Sequence, residues 1–230
     1  MTFLTGKFKP YNKWAQKSFS QCGEDLIVKF IFDNLQISHP TYIDIGAHHP
    51  FYLSNTALFY ELGSRGINIE PDPVLFKEFL AHRKNDVNLN IGISNENGYA
   101  DFYLISSPTL NTFSKEEAEN YKTQGDYSIT NVIKIPISTF KKIIDEQNNE
   151  KYPDFLNIDA EGVDELIVTS LDYTQNYPIV ICLETMSFST SGSGVKNLEM
   201  INFITNKGYI EYASTYINTI FVKENIWKKS

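Results

Sequence analysis

Only two cysteines, Cys22 and Cys182, occur in 230 residues, too few for a disulfide framework, and no CxxC pair suggests structural zinc. Both are expected to be small buried hydrophobes in a reducing compartment. Basic residues are outnumbered, 20 Lys and Arg against 28 Asp and Glu, which leaves a formal net charge of -8. That balance opposes a nucleic-acid partner, because a phosphate footprint needs clustered cations, and the one small basic cluster is at 228–229. No apolar run approaches the length of a membrane span, and the opening stretch MTFLTGKFKPYNKWAQKS lacks the apolar core and cleavage site of a secretory signal. The expected setting is therefore soluble and cytoplasmic. Glycine is missing at one telling place. The stretch YIDIGAHHPFYLSNT starts as a buried strand running into a glycine turn, yet it has no second glycine of a phosphate loop and carries two adjacent histidines instead.

What is present reads as one globular domain, with 42% hydrophobic and 21% charged residues. Residues 1–17 are polar, basic and aromatic without a period and are expected to form an arm, followed by a single domain over 18–230. A helix is predicted in SQCGEDLIVKFIFDNL, with Ser20 as its cap and Leu26, Ile27, Phe30, Ile31 and Leu35 at helical spacing. Strands and helices then alternate: strand TYIDIG, helix from Ser54 to Gly63, strand RGINIEP, helix opened by Asp72 and Pro73, VNLNIGIS as a third strand and GYADFYLI as a fourth. Residues 106–131 form a Ser, Thr and Asn-rich excursion. The second half resumes the alternation and closes with YIEYAS and TIFVKE as a hairpin. The fold expected is α/β, a mostly parallel sheet with helices on both faces. The closing hairpin supplies the last two strands, with an antiparallel final strand, that separate the methyltransferase version of this Rossmann-like architecture from the dehydrogenase one.

In such a sheet, ligands bind beyond the carboxyl ends of the strands where strand order reverses. The residues predicted there are acidic: Asp44 beside Gly46, then Glu70, then Asp159 and Glu161, then Glu184. An acid at the end of the second strand is placed to accept both hydroxyls of a ribose, which assigns Glu70 to an adenosine. A lone glycine followed by His48, His49 and Pro50 is poorly shaped for a pyrophosphate at a helix N-terminus. S-Adenosylmethionine fits better than NAD or ATP, and an NAD-dependent sugar enzyme is the competitor at the level of fold.

The stretches SQCGEDLI, YIDIGAHHPFYLSNT, LFYELGSRGINIEPDP, NLNIGIS, NTF, DFLNIDAEGVDELIV and IVICLE, in that order, make the chain resemble the FkbM-type S-adenosylmethionine-dependent methyltransferases. The resemblance implies a class I methyltransferase fold, with a seven-stranded mostly parallel sheet and an antiparallel last strand, and methyl transfer to an oxygen, commonly a sugar hydroxyl in a glycan, nucleotide-sugar or natural product. It implies that Asp44, Gly46 and Ala47 form the loop at the methionine side, with His48, Asn55 and Thr56 in the same motif. Glu70 and Pro71 would meet the ribose, Gly92, Ile93 and Ser94 the adenine, and Gln21 would approach the cofactor from the N-terminal side. Relatives with the GAHHP form often carry Asp where this chain has Glu70; either acid can hold a ribose.

Methyl transfer needs the acceptor hydroxyl held in line and its proton removed. Asp159, also a cofactor contact, and Glu184 are the candidate catalytic pair, with Glu161 in support. Two routes are open: chelation of a hard cation such as magnesium by Asp159 and Glu184, or a metal-free base, one of these acids or a histidine. His48 is read as pocket wall and His49 as the histidine base; adjacent residues on a turn diverge too much for a metal pair. His39 and His82 read as solvent-exposed. Thr112 and the SFSTSGSG loop are candidate acceptor contacts. The rival functions are methylation of a lipid, natural product or protein side chain, and an inactive adenosyl-binding module in a glycan assembly complex. A homo-oligomer is compatible with every one of these.

Overall fold

The computed structural model describes residues 13–160, 162–174, 176–187, 189 and 193–229. Among them, ten strands form two sheets. The main sheet has the order β3 (Val87–Leu89), β2 (Gly66–Ile69), β1 (Tyr42–Ile45), β7 (Phe155–Ile158), β8 (Val180–Glu184), β10 (Asn218–Lys223) and β9 (Tyr209–Ser214). β3, β2, β1, β7 and β8 run parallel, and β10 pairs antiparallel with both β8 and β9. The last strand is thus inserted antiparallel, as the closing hairpin led us to expect.

The strands are short apolar runs whose side chains alternate between two cores. On one face Ile43, Ile45, Ile67, Ile69, Leu156, Ile158, Ile181 and Leu183 pack against α5 (Phe140–Gln147), α6 (Asp164–Ser170) and α7 (Leu198–Asn206). On the other, Tyr42, Phe155, Val180, Cys182, Ile220 and Val222 pack against α1 (Glu24–Asn34) and α2 (Ala57–Glu61). That second face also carries a polar rung, because the register aligns Asn68, Asp44, Asn157 and Cys182 across four strands.

Four expectations need correction. Helix α1 is capped by Gly23 in the left-handed region, φ 91°, not by Ser20. The Ser20 hydroxyl sits upstream, where it donates to Asp25 at 2.8 Å and accepts from the Gly23 N–H at 3.0 Å. The helix predicted from Ser54 begins only at Ala57, whose N–H the Ser54 hydroxyl accepts. The stretch VNLNIGIS is two strands, because the Asn90 amide between them donates to the carbonyls of Glu70 and Pro71. Its second piece, β4 (Gly92–Ser94), pairs with β6 (Ile129–Thr139) in a separate sheet that also holds β5 (Gly98–Ile105). Finally, Cys22 is exposed, whereas Cys182 is buried as expected.

The excursion folds over the carboxyl ends of the main sheet. It contains a 3-10 turn, Pro108–Leu110, and helix α4 (Lys115–Gln124), and the Asn111 amide ties it to Asp72 at the start of α3 (Pro73–His82). Residues 1–12 of the expected arm lie outside the described residues.

Candidate functional site

Strand order reverses at β1, which has β2 on one side and β7 on the other. A cavity of about 390 Å³ opens at the carboxyl ends of these strands and β8. It collects most of the residues picked out above: Gln21, Asp44, Gly46, Ala47, His48, Asn55, Glu70, Pro71, Gly92, Ile93, Asp159 and Glu184 all line it. Thr56, Ser94 and His49 are not among the lining residues.

The turn after β1 is shaped by close approach. Gly46 has φ 75°, and a Cβ there would overlap the backbone carbonyl of Asp159, just past the end of β7. Its N–H and that of Ala47 donate to the Ile69 carbonyl at 3.0 and 3.1 Å, so the turn crosses onto β2. His48 follows in the left-handed region, φ 52°, which aims its N–H at Glu70 Oε2, 2.7 Å away. The N–H of Asp72 takes Oε1 at the same distance. Glu70 is buried, and loss of water pushes its carboxyl up to about 8 despite these two donors. Each oxygen retains lone-pair capacity for a hydroxyl of a ligand.

Asp44 accepts from two sides, from the Thr56 hydroxyl at 2.6 Å and from the Asn157 amide at 2.8 Å. Burial raises its pKa, and those hydrogen bonds with the nearby Arg83 charge pull it back. Because Asn157 gives its N–H to Asp44, its oxygen is left to accept from the Asn55 amide at 2.8 Å. The chain of donors therefore fixes which way Asn55 points. Asn55 Oδ1 is left buried with no hydrogen-bond partner. A buried acceptor of this kind beside a cavity is matched by a donor on the ligand, and the ammonium of a methionine moiety supplies one. Thr56, predicted to touch the cofactor, does not line the cavity and gives its hydroxyl to Asp44.

Beneath the turn lies Arg83, which sequence reasoning did not single out. It is fully buried. Its guanidinium donates to Asp86 at 2.9 Å, the Pro50 carbonyl at 3.0 Å, the Tyr42 hydroxyl at 2.7 Å, and Thr56 and Asn68 at 3.3 Å. Asp86 in turn accepts from Tyr42, Gly66 and Asn68. Its only sequence signal was an Arg three residues before an Asp, a spacing too common on helix ends to be read.

An apolar pocket continues from Glu70. Pro71, Leu75, Ile91, Ile93, Leu110 and Phe113 line it, and a Cβ on Gly92 would run into the Phe113 ring. Glycine there lets the ring close over β4, giving a flat slot suited to a purine. Phe113 belongs to the NTF stretch, yet the sequence pointed to Thr112 instead. Thr112 is fully buried, bridged to Tyr103 through its backbone and to Ser114 through its hydroxyl, and does not line the cavity.

The opposite wall carries Asp159 and Glu184, whose side chains are hydrogen-bonded to each other. Burial, with Asp164 and Asp44 nearby, pushes the Asp159 carboxyl up to about 7. Among the described residues no group of three or more His, Cys, Asp or Glu side chains is gathered to hold a metal, so the magnesium expectation lacks a built site. Glu161 lies outside the described residues. His49 is turned away from the cavity: its Nδ1 accepts from the N–H groups of Phe51 and Tyr52 at 3.1 and 2.9 Å. That bond holds the loop and leaves His48 as the cavity-facing histidine. Burial lowers the pKa of both. His39 is exposed and His82 pairs on the surface with Glu78 at 3.6 Å. Of the SFSTSGSG loop, Ser187, Ser189 and Gly194 line the cavity; residues 188 and 190–192 lie outside the described residues. No helix among the described residues is long and apolar enough to cross a membrane.

The family model described as "Methyltransferase FkbM domain" matches residues 44–211, well over half of the chain. No curated protein matches. Among solved structures, the chain is similar to the precorrin-6y C5,15-methyltransferase from Geobacter metallireducens GS-15 at 12% identity and a TM-score of 0.39, over 85% of each chain.

Proposed function

The chain belongs to the FkbM methyltransferase family and is an S-adenosylmethionine-dependent methyltransferase; from that premise we propose that its acceptor is a hydroxyl of a neutral sugar within a glycan. The observation that carries the reading is the placement of the Asp159 and Glu184 carboxyls on the wall of the cofactor cavity at the ends of β7 and β8, two and three strands away from Glu70 at the end of β2.

The cofactor supplies an electrophilic methyl group. Glu70 accepts the ribose hydroxyls, the slot behind Phe113 takes the adenine, and Asn55 Oδ1 receives the ammonium of the methionine end. The acceptor oxygen must lose its proton as it gains the methyl. Glu184 takes that proton, and Asp159, hydrogen-bonded to it, holds a proton of its own near neutral pH and orients the pair. With the two carboxyls bonded to each other, they act as base and support rather than as a chelate.

Glu184, Met186 and Ser187 line a second cavity of about 330 Å³ as well, whose remaining wall includes Glu117, Tyr121, Asp164, Glu165 and Asn197. Glu184 therefore borders both spaces, and acidic side chains crowd its side of the site. Carboxylates accept from sugar hydroxyls and repel phosphates, which favours a neutral glycan end over a nucleotide-sugar.

The experiment is release of S-adenosylhomocysteine with oligosaccharide and nucleotide-sugar panels, in EDTA and then with added magnesium. Turnover on neutral oligosaccharides, unchanged by EDTA, is expected. Turnover confined to phosphate-bearing acceptors, or abolished by EDTA and restored by magnesium, would overturn the reading.

A further inference from the structure

Tyr216 stands in the short link between β9 and β10 with φ 77°. A bulky residue in the left-handed region is strained where Gly or Asn is not, and such strain gathers at functional positions. The residue is 55% exposed and lines the cofactor cavity. The link sits directly beside the carboxyl pair. Asn218 lies opposite Glu184 in the β10–β8 register, and the Thr185 N–H donates to the Ile217 carbonyl at 3.0 Å.

The link is also anchored from inside. Glu24, fully buried at the start of α1, accepts on Oε1 from the Thr215 hydroxyl at 2.6 Å and from the Asn218 amide at 3.2 Å. Its other oxygen accepts from the Cys22 N–H at 2.8 Å. Burial alone would raise the pKa of Glu24, but these donors outweigh it and hold the carboxyl below its usual range. One carboxylate thus clamps the residues on both sides of Tyr216 and the segment that carries Gln21. The strained backbone of Tyr216 is thereby held in place at the cavity wall.

We propose that the Tyr216 ring is the platform on which the acceptor sugar lays its apolar face, presenting one hydroxyl to Glu184. An aromatic face suits the axial C–H face of a pyranose, and a rigid aromatic offers that area at small entropic cost. The proposal rests on the sugar reading above.

Saturation-transfer NMR on the full chain loaded with S-adenosylhomocysteine, using a panel of neutral methyl glycosides, tests both. We expect wild type to transfer saturation to the ring C–H protons of at least one glycoside. Tyr216→Phe should stay within about twofold of that signal, and Tyr216→Ala and Tyr216→Gly should lose roughly fivefold or more, on the order of one aromatic contact. Affinity for S-adenosylhomocysteine should be unchanged in all three. Tyr216→Gly should melt no lower than wild type, since glycine relieves the backbone, so a purely structural role for the ring would be exposed by a falling melting temperature. If a glycoside binds wild type and Tyr216→Ala equally, the platform is wrong and the sugar reading stands. If no glycoside binds wild type, the sugar reading fails and the platform with it.

Discussion

Cofactor binding should expel a proton from Glu70. The carboxyl is buried and pushed up to about 8, so at pH 7 only about a tenth of the free protein carries it ionised. Both oxygens already accept backbone N–H groups, and a ribose hydroxyl added to that pair forms its stronger, charge-assisted bond with the ionised form. Binding at pH 7 should then release about 0.9 proton, and affinity should tighten about tenfold per pH unit up to about 8 and level above it. Folding shows the opposite slope: the folded state keeps a proton that the unfolded chain gives up above 4.5. Stability falls as pH rises between 4.5 and about 8, by at most about 5 kcal/mol at 1.36 kcal/mol per unit. Titration calorimetry with adenosine, which has no group titrating near pH 7, in buffers of unlike ionisation enthalpy reads the proton directly. The control is 2′,3′-dideoxyadenosine, which should release none. Buffer-independent heats with adenosine, or equal release by the dideoxy compound, would refute the link between Glu70 and the ribose.

Three further outcomes follow from the same geometry. Gly46→Ala places a Cβ against the Asp159 carbonyl at a left-handed φ, which should cost about 2–5 kcal/mol and abolish S-adenosylhomocysteine binding; chemical denaturation and calorimetry check both. Arg83→Met strands the buried Asp86 and frees the Pro50 carbonyl, so a loss of about 3–5 kcal/mol is expected in urea melts, and a loss under 1 kcal/mol would mean the network is slack. In Asp159→Asn only Glu184 of the pair can titrate. The fall of kcat/KM expected above about 7 in wild type, where Asp159 gives up the proton that orients the pair, should then vanish from the residual activity, and an unmoved limb would clear Asp159 of it.

The parts legible in the sequence were those set by backbone periodicity and by strand-end position. Short apolar runs punctuated by Gly46, Pro71 and Gly63 located β1, β2 and α2, and the acids Asp44, Glu70, Asp159 and Glu184 fell on one rim because a parallel sheet puts strand ends together. What escaped were contacts made across the chain. Nothing local says that Asn90 would break one apolar run into strands of two sheets, or that His49 would spend its ring nitrogen on the N–H groups of Phe51 and Tyr52. Phe113 and Thr112 are neighbours in one motif, and only the fold decides that the ring faces the cavity while the hydroxyl is buried.

Rigidity at this site comes from charges that do not touch the ligand. The cavity is bordered by three non-glycine residues with positive φ, His48, Leu53 and Tyr216, and such conformations persist only where the surroundings over-determine them. Arg83 does this for the loop of His48 and Leu53, through Pro50 and Thr56, and Glu24 does it for Tyr216, through Thr215 and Asn218. Both side chains are fully buried and neither lines the cavity. A buried charge without partners is costly, so each enforces the geometry of every group that satisfies it. Two opposing walls are thereby fixed before either substrate arrives, which is what an in-line displacement needs when reacting atoms must meet within a narrow range of distance and angle. It follows that charge-removing changes at Arg83 and Glu24 should act on different substrates: the first on S-adenosylhomocysteine affinity, the second on acceptor KM, a split that a general loosening of the fold would not produce.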